Sequence, residues 1–254
     1  MVGYLSGTGP RAFAHRGWHI GDLAGCENTM AAFTRAVDEG YQYVETDVHV
    51  TSDGVLIAFH DDRLDRVTDR RGRIRDLTWD EVRKARIRGS HAIPLMADVL
   101  AALPDTRFNI DPKSDGAVGP LIDLLCSSGA LARVGLGSFS DRRLAALQQA
   151  LGPQAVTSLG PRRVSQLVAA SRLGRAFRGA PARAAQVPAR FGRLSVVNSF
   201  FVGTAHAAGL EVHVWTIDDA SDMNRLLDLG ADGIMTDRPD VLRRVLADRQ
   251  KWHI

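Results

Sequence analysis

The order of the predicted secondary-structure elements constrains this chain more than any other feature. Short apolar runs alternate with longer segments of helical period, giving eight units of a strand followed by a helix. The strands are predicted at residues 12–15, 41–50, 107–111, 134–139, 155–159, 184–187, 211–216 and 233–237, and the helices at 29–39, 96–103, 117–128, 141–150, 162–172, 199–208, 219–229 and from 239 onwards. Eight such units in 254 residues predict an α/β fold, a closed (β/α)8 TIM barrel, rather than an open doubly wound sheet.

Residues 51 to about 95 interrupt this alternation. They carry many charges, a short alternating strand at 55–59 and the dipeptide His60-Asp61. A short helix is predicted to begin at Thr78, because Glu81 completes a capping box with it. We interpret these residues as a small insertion in the loop after strand two, where loops set the specificity of such barrels.

Single residues predict where several helices begin. Asn28 is interpreted as the N-cap of the first helix and Ser140 as the N-cap of the fourth, because both side chains can accept a hydrogen bond from the first turn. Pro239 fits the first turn of the last helix, where its missing N–H costs nothing.

Composition indicates a single soluble domain spanning residues 1–254, with 45% apolar and 24% charged residues. The amino-terminal segment lacks the basic and apolar parts of a signal peptide. No run approaches the 18 or so apolar residues of a spanning helix, so we expect a cytoplasmic protein without integral membrane association. Cys26 and Cys126 lie far apart and predict neither a disulfide framework nor a zinc site.

The net charge of +3 comes with many arginines, which supply 29 of the 32 basic residues. We interpret them as scattered rather than gathered on one face or tail. A nucleic-acid footprint requires clustered basic residues with interleaved aromatic residues, so nucleic acid is not an expected partner.

The second predicted strand carries two carboxylates on one face. Side chains alternate across a strand, so Glu45 and Asp47 point the same way from an apolar segment. Two such groups repel each other and are costly to desolvate without a cation between them. A bound metal ion would explain the pair. The alternative is that one carboxylate pairs with an arginine while the other lies at a solvated strand end. The strand alone leaves both readings open.

Further polar residues fall at the carboxyl ends of the predicted strands, where TIM barrels hold their active sites. They are His15 and Arg16 after strand one, Glu45 and Asp47 on strand two, Asp111 and Lys113 on strand three, Trp215 on strand seven and Thr236-Asp237 after strand eight. Acids, a lysine and a histidine converging from several strands are hard to explain by stability alone.

Four groups of motifs resemble the glycerophosphodiester phosphodiesterase family. They are Ala14-His-Arg-Gly17 with Glu27-Asn-Thr29, Val44-Glu-Thr-Asp-Val48 with Thr51-Ser-Asp-Gly54, Phe59-His-Asp61 with Arg66-Val-Thr68, and Val214-Trp-Thr216 with Gly230-Ala-Asp-Gly233 and Thr236-Asp-Arg-Pro239. Their order and spacing extend over residues 12–242, which makes the likeness far more specific than a single short motif.

The resemblance implies a divalent cation, Mg²⁺ or Ca²⁺, held by Glu45, Asp47 and Asp111. Carboxylate oxygens suit such hard ions. The family usually has glutamate where this chain has Asp111. Aspartate is one methylene shorter, so the ion is expected to lie closer to that strand, to keep a water or to bind more weakly.

The resemblance also implies the chemistry. His15 and His60 would be general base and general acid, Arg16 and Lys113 would bind the phosphate oxygens, and Trp215 would line the pocket. A glycerophosphodiester would be hydrolysed to glycerol 3-phosphate in two steps, through a cyclic phosphate. The alternatives are a lysophospholipase D acting on a larger lipid, and a barrel that binds phosphodiesters without turnover. The residues predict no oligomeric state.

Overall fold

In a computed structural model, residues 3–179 and 181–252 are described, and the predicted domain limits at residues 1 and 254 lie outside them. The described residues contain eight parallel barrel strands: β1 Arg11–His15, β2 Tyr43–Val50, β3 Arg107–Pro112, β4 Val134–Leu136, β5 Val156–Thr157, β6 Ala184–Pro188, β7 Glu211–Trp215 and β8 Gly233–Thr236. The helices that follow them are α1 Met30–Asp38, α2 Met96–Ala102, α3 Val118–Ser128, α4 Asp141–Leu151, α5 Pro161–Arg172, α6 Ser199–Ala207, α7 Ala220–Asp228 and α8 Pro239–Asp248. The predicted TIM barrel is confirmed.

The strands pair in the order β5-β4-β3-β2-β1-β8-β7-β6. The remaining gap, between β5 and β6, is bridged by one parallel pair, Ser158 and Ala184. The amide of Leu159 donates to the carbonyl of Ala184 at 2.8 Å. The ring is therefore nearly closed, with its weakest pairing at this seam.

The alternation of β2 separates the barrel lumen from the layer under the helices. Val44 and Val48 belong to the main apolar core between strands and helices, whereas Tyr43 packs with Phe13 of β1 inside the barrel. Glu45 and Asp47 share the parity of Tyr43 and therefore point into the lumen. Along the lumen face of β2, an aromatic residue at the amino end, called here the floor of the barrel, is therefore followed by acidic residues toward the carboxyl end.

The chain between β2 and α2, residues 51–95, is called here the β2–α2 segment. Its short strand Leu56–Ala58 pairs antiparallel with the end of β2, and a second small sheet joins Arg86–Ile87 to His91–Ala92. Eight buried apolar residues give it a core of its own: Ile57, Phe59, Leu64, Ile74, Val82, Ala85, Ile87 and Ile93. Its helix Trp79–Val82 begins with the predicted capping box of Thr78 and Glu81.

The prediction for the first helix start is wrong by one residue. Thr29, not Asn28, is the N-cap of α1, and its hydroxyl accepts from the amide of Ala32 at 3.2 Å. Asn28 has a φ of 55° and uses its side chain elsewhere. Ser140 does cap α4 as predicted, accepting from the amide of Arg143.

The sequence patterns overestimated two strands and missed a hairpin. β4 and β5 end earlier than predicted, at Leu136 and Thr157. After β6, residues Arg190–Phe191 and Leu194–Ser195 pair antiparallel as a small hairpin. Within the described residues, no helix has the length and apolar character needed to cross a membrane.

Candidate active site

The carboxyl ends of the strands gather most of the predicted site residues at one end of the barrel, called here the mouth. His15 ends β1 and Arg16 follows it, Glu45 and Asp47 lie on β2, Asp111 lies on β3 with Lys113 directly after it, Trp215 ends β7, and His60 lies in the β2–α2 segment. Contacts link six of these residues into one cluster: His15, Arg16, Glu45, Asp47, Asp111 and Lys113. His60 and Trp215 contact neighbours of this cluster.

Lys113 lies between two carboxylates. Its Nζ is 2.7 Å from Oδ1 of Asp47 and 2.8 Å from Oδ2 of Asp111. The two acids meet because they are register partners on adjacent strands. Burial alone would lower the pKa of Lys113, but Asp47 and Asp111 raise it above its ordinary value. The side chain is therefore a firmly charged ammonium group.

Two buried carboxylate oxygens at the mouth have no hydrogen-bond partner. They are Oε2 of Glu45 and Oδ1 of Asp111. Burial, followed by the neighbouring Asp47, raises the pKa of Glu45 to about 7. Burial also raises the pKa of Asp111. Unpaired buried carboxylate oxygens are costly, so these atoms are short of a donor or a cation.

The carboxylates of Glu45, Asp47 and Asp111 are suitable ligands for a hard divalent cation, but in this structure they are not arranged around one ion position. Within the described ranges, no three acidic, histidine or cysteine side chains are grouped so as to hold one ion. The ammonium of Lys113 lies between Asp47 and Asp111. The unpaired oxygens of Glu45 and Asp111 remain suitable ligands for Mg²⁺ or Ca²⁺, and full ligation by all three acids requires the ammonium to move.

Arg16 and Asn28 support Asp47 from the loop after β1. Both have left-handed backbones, with φ of 56° and 55°, and the amide of Asn28 donates to the carbonyl of Arg16. The Asn28 side chain donates to Oδ2 of Asp47 at 3.1 Å and accepts from the hydroxyl of Thr46 at 2.7 Å. Nε of Arg16 lies 3.3 Å from the same Oδ2. Asn28 is a site residue that the sequence prediction missed, although it lies inside a quoted motif.

His15 is held between two acids. Its Nδ1 lies 2.6 Å from Oδ1 of Asp237, and its Nε2 lies 3.7 Å from Oε2 of Glu45. His19 contacts the same Asp237 oxygen at 3.1 Å. Burial lowers the pKa of His15, but Glu45 and Asp237 together raise it above its ordinary value. Asp237 therefore orients the ring as well as favouring its charged form.

His60 has the same kind of carboxylate partner in the β2–α2 segment. Its Nδ1 lies 2.6 Å from Oδ1 of Asp61. Arg66 donates to Asp61 at 2.6 Å and to Glu27 at 2.7 Å, and Glu27 also accepts from Arg16. Burial raises the pKa of Asp61, but hydrogen bonds from Arg66 and His60 lower it to about 2. A chain of alternating charges thus ties the segment to the mouth.

A backbone contact brings the residue before His60 to the cluster, since the amide of Phe59 donates to the carbonyl of Asp47 at 2.9 Å. Burial raises the pKa of Asp47, but the neighbouring Lys113 and Arg16 lower it below its ordinary value. Asp47 is only 1% exposed, so these cations act through protein rather than through water.

Trp215 forms an aromatic wall with Phe139, which follows β4. Their rings pack edge to face with centroids 5.4 Å apart. Nζ of Lys113 lies 5.9 Å from the centroid of Phe139. The wall therefore stands beside the charged cluster, and Phe139 is a second residue that the sequence prediction missed.

Comparisons with known proteins agree on one family. The sequence profile described as the Glycerophosphoryl diester phosphodiesterase family matches residues 15–241. A Mycobacterium tuberculosis protein named "Probable glycerophosphodiester phosphodiesterase 2" is 39% identical over 255 residues, covering 99% of this chain and 96% of that protein.

Solved structures share the fold at lower sequence identity. A glycerophosphodiester phosphodiesterase from Parabacteroides distasonis is 22% identical with a TM-score of 0.78, covering 95% of this chain and 98% of that one. An Oleispira antarctica phosphodiesterase, solved in complex with the product sn-glycerol-3-phosphate, is 23% identical with a TM-score of 0.75, covering 94% and 97%. The profile and the M. tuberculosis relative together show that the chain belongs to the glycerophosphoryl diester phosphodiesterase family.

Proposed function

We propose that this protein hydrolyses small glycerophosphodiesters to glycerol 3-phosphate and an alcohol. The observation that carries the proposal is the pair of histidines, each with a carboxylate 2.6 Å from Nδ1, beside a buried cluster of acids and a lysine. The product bound to the O. antarctica relative supports glycerol 3-phosphate as the product here.

The carboxylate partners determine which nitrogen of each histidine is free to transfer a proton. A carboxylate only accepts hydrogen bonds, so Nδ1 of His15 and Nδ1 of His60 each carry a hydrogen directed at Asp237 and Asp61. Nε2 of each neutral ring is then left to take a proton, and Nε2 of each charged ring to give one. We assign His15 as general base and His60 as general acid, on opposite sides of the scissile bond.

The first step transfers the phosphoryl group within the substrate. His15 removes the proton of the neighbouring glycerol hydroxyl, whose oxygen forms a bond to phosphorus. The bond from phosphorus to the alcohol oxygen breaks, and His60 protonates that oxygen. In the second step His60 takes a proton from water, the water oxygen opens the cyclic phosphate, and His15 returns its proton to the glycerol oxygen.

Cationic side chains complete the site. Arg16 and Lys113 would bind the non-bridging phosphate oxygens, and Trp215 would pack on the glycerol carbons. Glu45, Asp47 and Asp111 would hold Mg²⁺ or Ca²⁺, which when bound neutralises phosphate charge and polarises the phosphoryl group. The unpaired oxygens of Glu45 and Asp111 support this assignment.

The test is release of glycerol 3-phosphate from a panel of glycerophosphodiesters, before and after EDTA, with Mg²⁺ or Ca²⁺ restored. We expect release that EDTA abolishes, that metal restores, and that falls about 10³-fold in His15→Ala. Asp111→Ala should need more metal for the same rate. A folded protein that binds diesters but releases nothing with any ion would instead indicate a barrel that binds without turnover.

The intramolecular step has its own test. Diesters without the neighbouring hydroxyl should not be cleaved, and the cyclic phosphate should be cleaved to glycerol 3-phosphate. Equal turnover of a diester that lacks this hydroxyl would show that water attacks directly.

A further inference from the structure

Acidic residues are absent from one long stretch of the chain, so its scattered arginines leave a local excess of positive charge. Residues 142–210 contain ten arginines and no aspartate or glutamate. The whole chain has a net charge of +3, so the remaining residues carry −7. The basic stretch runs from α4 to α6 and forms one continuous sector of the barrel.

Most arginines in this basic sector lack an acidic partner. Arg142 and Arg143 pair with Asp115, which lies outside the sector in sequence. Within residues 3–179 and 181–252, the other eight have no carboxylate within 4.0 Å: Arg162, Arg163, Arg172, Arg175, Arg178, Arg183, Arg190 and Arg193. Their charge is therefore available to an anionic partner.

Large apolar side chains are exposed beside these arginines, mainly at the mouth. Phe139 follows β4, Phe191 and Leu194 lie on the hairpin after β6, and Phe200 lies in the first turn of α6, with exposures of 66%, 77%, 40% and 75%. We call these four residues the apolar rim. A fifth exposed residue, Leu173, lies beyond the end of α5, at the opposite face of the barrel.

The hairpin presents its two apolar side chains together. Phe191 and Leu194 are direct cross-strand partners, so both point to the same face. Gly192, with φ of 58°, opens the two-residue turn, and Arg193 completes it. The hairpin begins just after Pro188, the strand partner of Trp215, which places it beside the pocket.

We propose that the apolar rim, with Arg162, Arg190 and Arg193, docks the mouth of the barrel onto an anionic phospholipid surface. Exposed aromatic and aliphatic side chains flanked by arginines are the chemistry that inserts into the headgroup region and pairs with lipid phosphates. The free arginines complement negative charge, whereas a second copy of this chain would bring the same positive sector into repulsion. Docking would present the mouth to phosphodiesters released at, or still held in, the lipid surface.

Vesicle flotation tests the proposal without any need for turnover, so its failure is separable from failure of the proposed hydrolysis. We expect the wild-type chain to float with vesicles of phosphatidylcholine and phosphatidylglycerol in equal parts, and not with phosphatidylcholine alone. High salt should weaken the binding. Replacing Phe191 and Leu194 together by serine should lower the bound fraction at least about tenfold.

Two further variants separate the contributions. Arg190→Gln with Arg193→Gln should also weaken binding about tenfold. Leu173→Ser is the control, because it removes an exposed apolar side chain from the same basic sector at the other face, and it should bind like wild type. Hydrolysis of a water-soluble diester and the melting temperature confirm that each variant is folded.

Several results would overturn the proposal. They are no binding by the wild-type chain, equal binding to neutral and anionic vesicles, or equal binding by the hairpin variant and Leu173→Ser. A wild-type dimer that the hairpin variant dissociates, without lipid binding, would assign the rim to self-association. Tighter binding to a single-stranded oligonucleotide than to vesicles would assign the basic sector to nucleic acid.

Discussion

The two ends of the barrel lumen differ in whether their buried polar groups are hydrogen-bonded. At the floor, Tyr4 donates to Asn109 at 3.0 Å, Gln186 donates to the same oxygen at 2.7 Å, and Arg11 donates to Glu211 at 2.8 Å. At the mouth, several buried side-chain atoms have no hydrogen-bond partner. Four of the five such atoms among the described residues belong to residues at the mouth, Arg16, Glu45, Asp111 and Ser138, and the fifth is Nε of Arg107 at the floor end of β3. Most buried polar groups at the floor are hydrogen-bonded and stabilise it, while the unpaired atoms gathered at the mouth mark where a ligand is expected.

Two histidines, one at each end of the lumen, should respond in opposite ways to substitution by alanine. His213 on β7 is fully buried at the floor, with Nε2 3.0 Å from Glu211 and its ring 5.0 Å from Phe13. His213→Ala should lower the free energy of unfolding by about 3 kcal/mol, because it leaves a cavity and strips a partner from Glu211. Its kcat should stay within about threefold of wild type.

His15→Ala at the mouth is the matched control, with the reverse pattern. Denaturant unfolding and diester hydrolysis, measured on both variants, check the prediction. If His213→Ala lost activity without losing stability, floor and mouth would not be separate in function.

Cation binding should stabilise the mouth. If Glu45, Asp47 and Asp111 hold Mg²⁺ or Ca²⁺, the ion at about 100 times its Kd should raise the free energy of unfolding by about 2.7 kcal/mol. Asp111→Asn should need a higher ion concentration for the same rise in Tm, and Glu211→Gln at the floor should respond like wild type. An unchanged Tm with either ion in the wild-type chain would contradict the three-acid site.

Acid should weaken the floor through Glu211. Burial raises the pKa of Glu211, but His213 and Arg11 lower it to about 2. The unfolded state therefore binds the extra proton as the pH falls below about 4.3, and stability is lost from there down to about 2. Allowing for partial exposure, this group accounts for about 1–2 kcal/mol. Unfolding followed against pH should show a shallower loss in Glu211→Gln; an identical pH slope would show that another group dominates.

Most of the fold could be predicted from the periodicity of apolar residues and from capping residues next to the helices. The alternation of strands and helices was sufficient for the barrel, and Ser140, Thr78 and Glu81 were read correctly because a cap depends only on neighbours in sequence. Asn28 was misread because its partners, Asp47 and Thr46, lie on another element. Both Asn and Thr can cap a helix, so only the tertiary contacts decide between Asn28 and Thr29.

The sequence predicts where the candidate site lies but not the contacts between its residues. The residues at strand ends could be found because parallel strands deliver them to one face. That Lys113 bridges Asp47 and Asp111 follows from the register of β2 and β3, which sequence does not specify. The hairpin with Phe191 and Leu194 was missed because two-residue strands leave no alternation to recognise. The roles assigned to the site residues remain predictions.

The placement of His60 outside the ring of strands has a consequence for how this fold can change. His60, Asp61 and Arg66 all lie in the β2–α2 segment, which has its own apolar core, pairs with the end of β2 and contacts Glu27 through Arg66. Exchanging this segment between relatives would therefore transfer His60 and its carboxylate partner Asp61 together as one unit. If His60 is the general acid proposed above, recombination would replace the loops around it while keeping the histidine paired with its carboxylate.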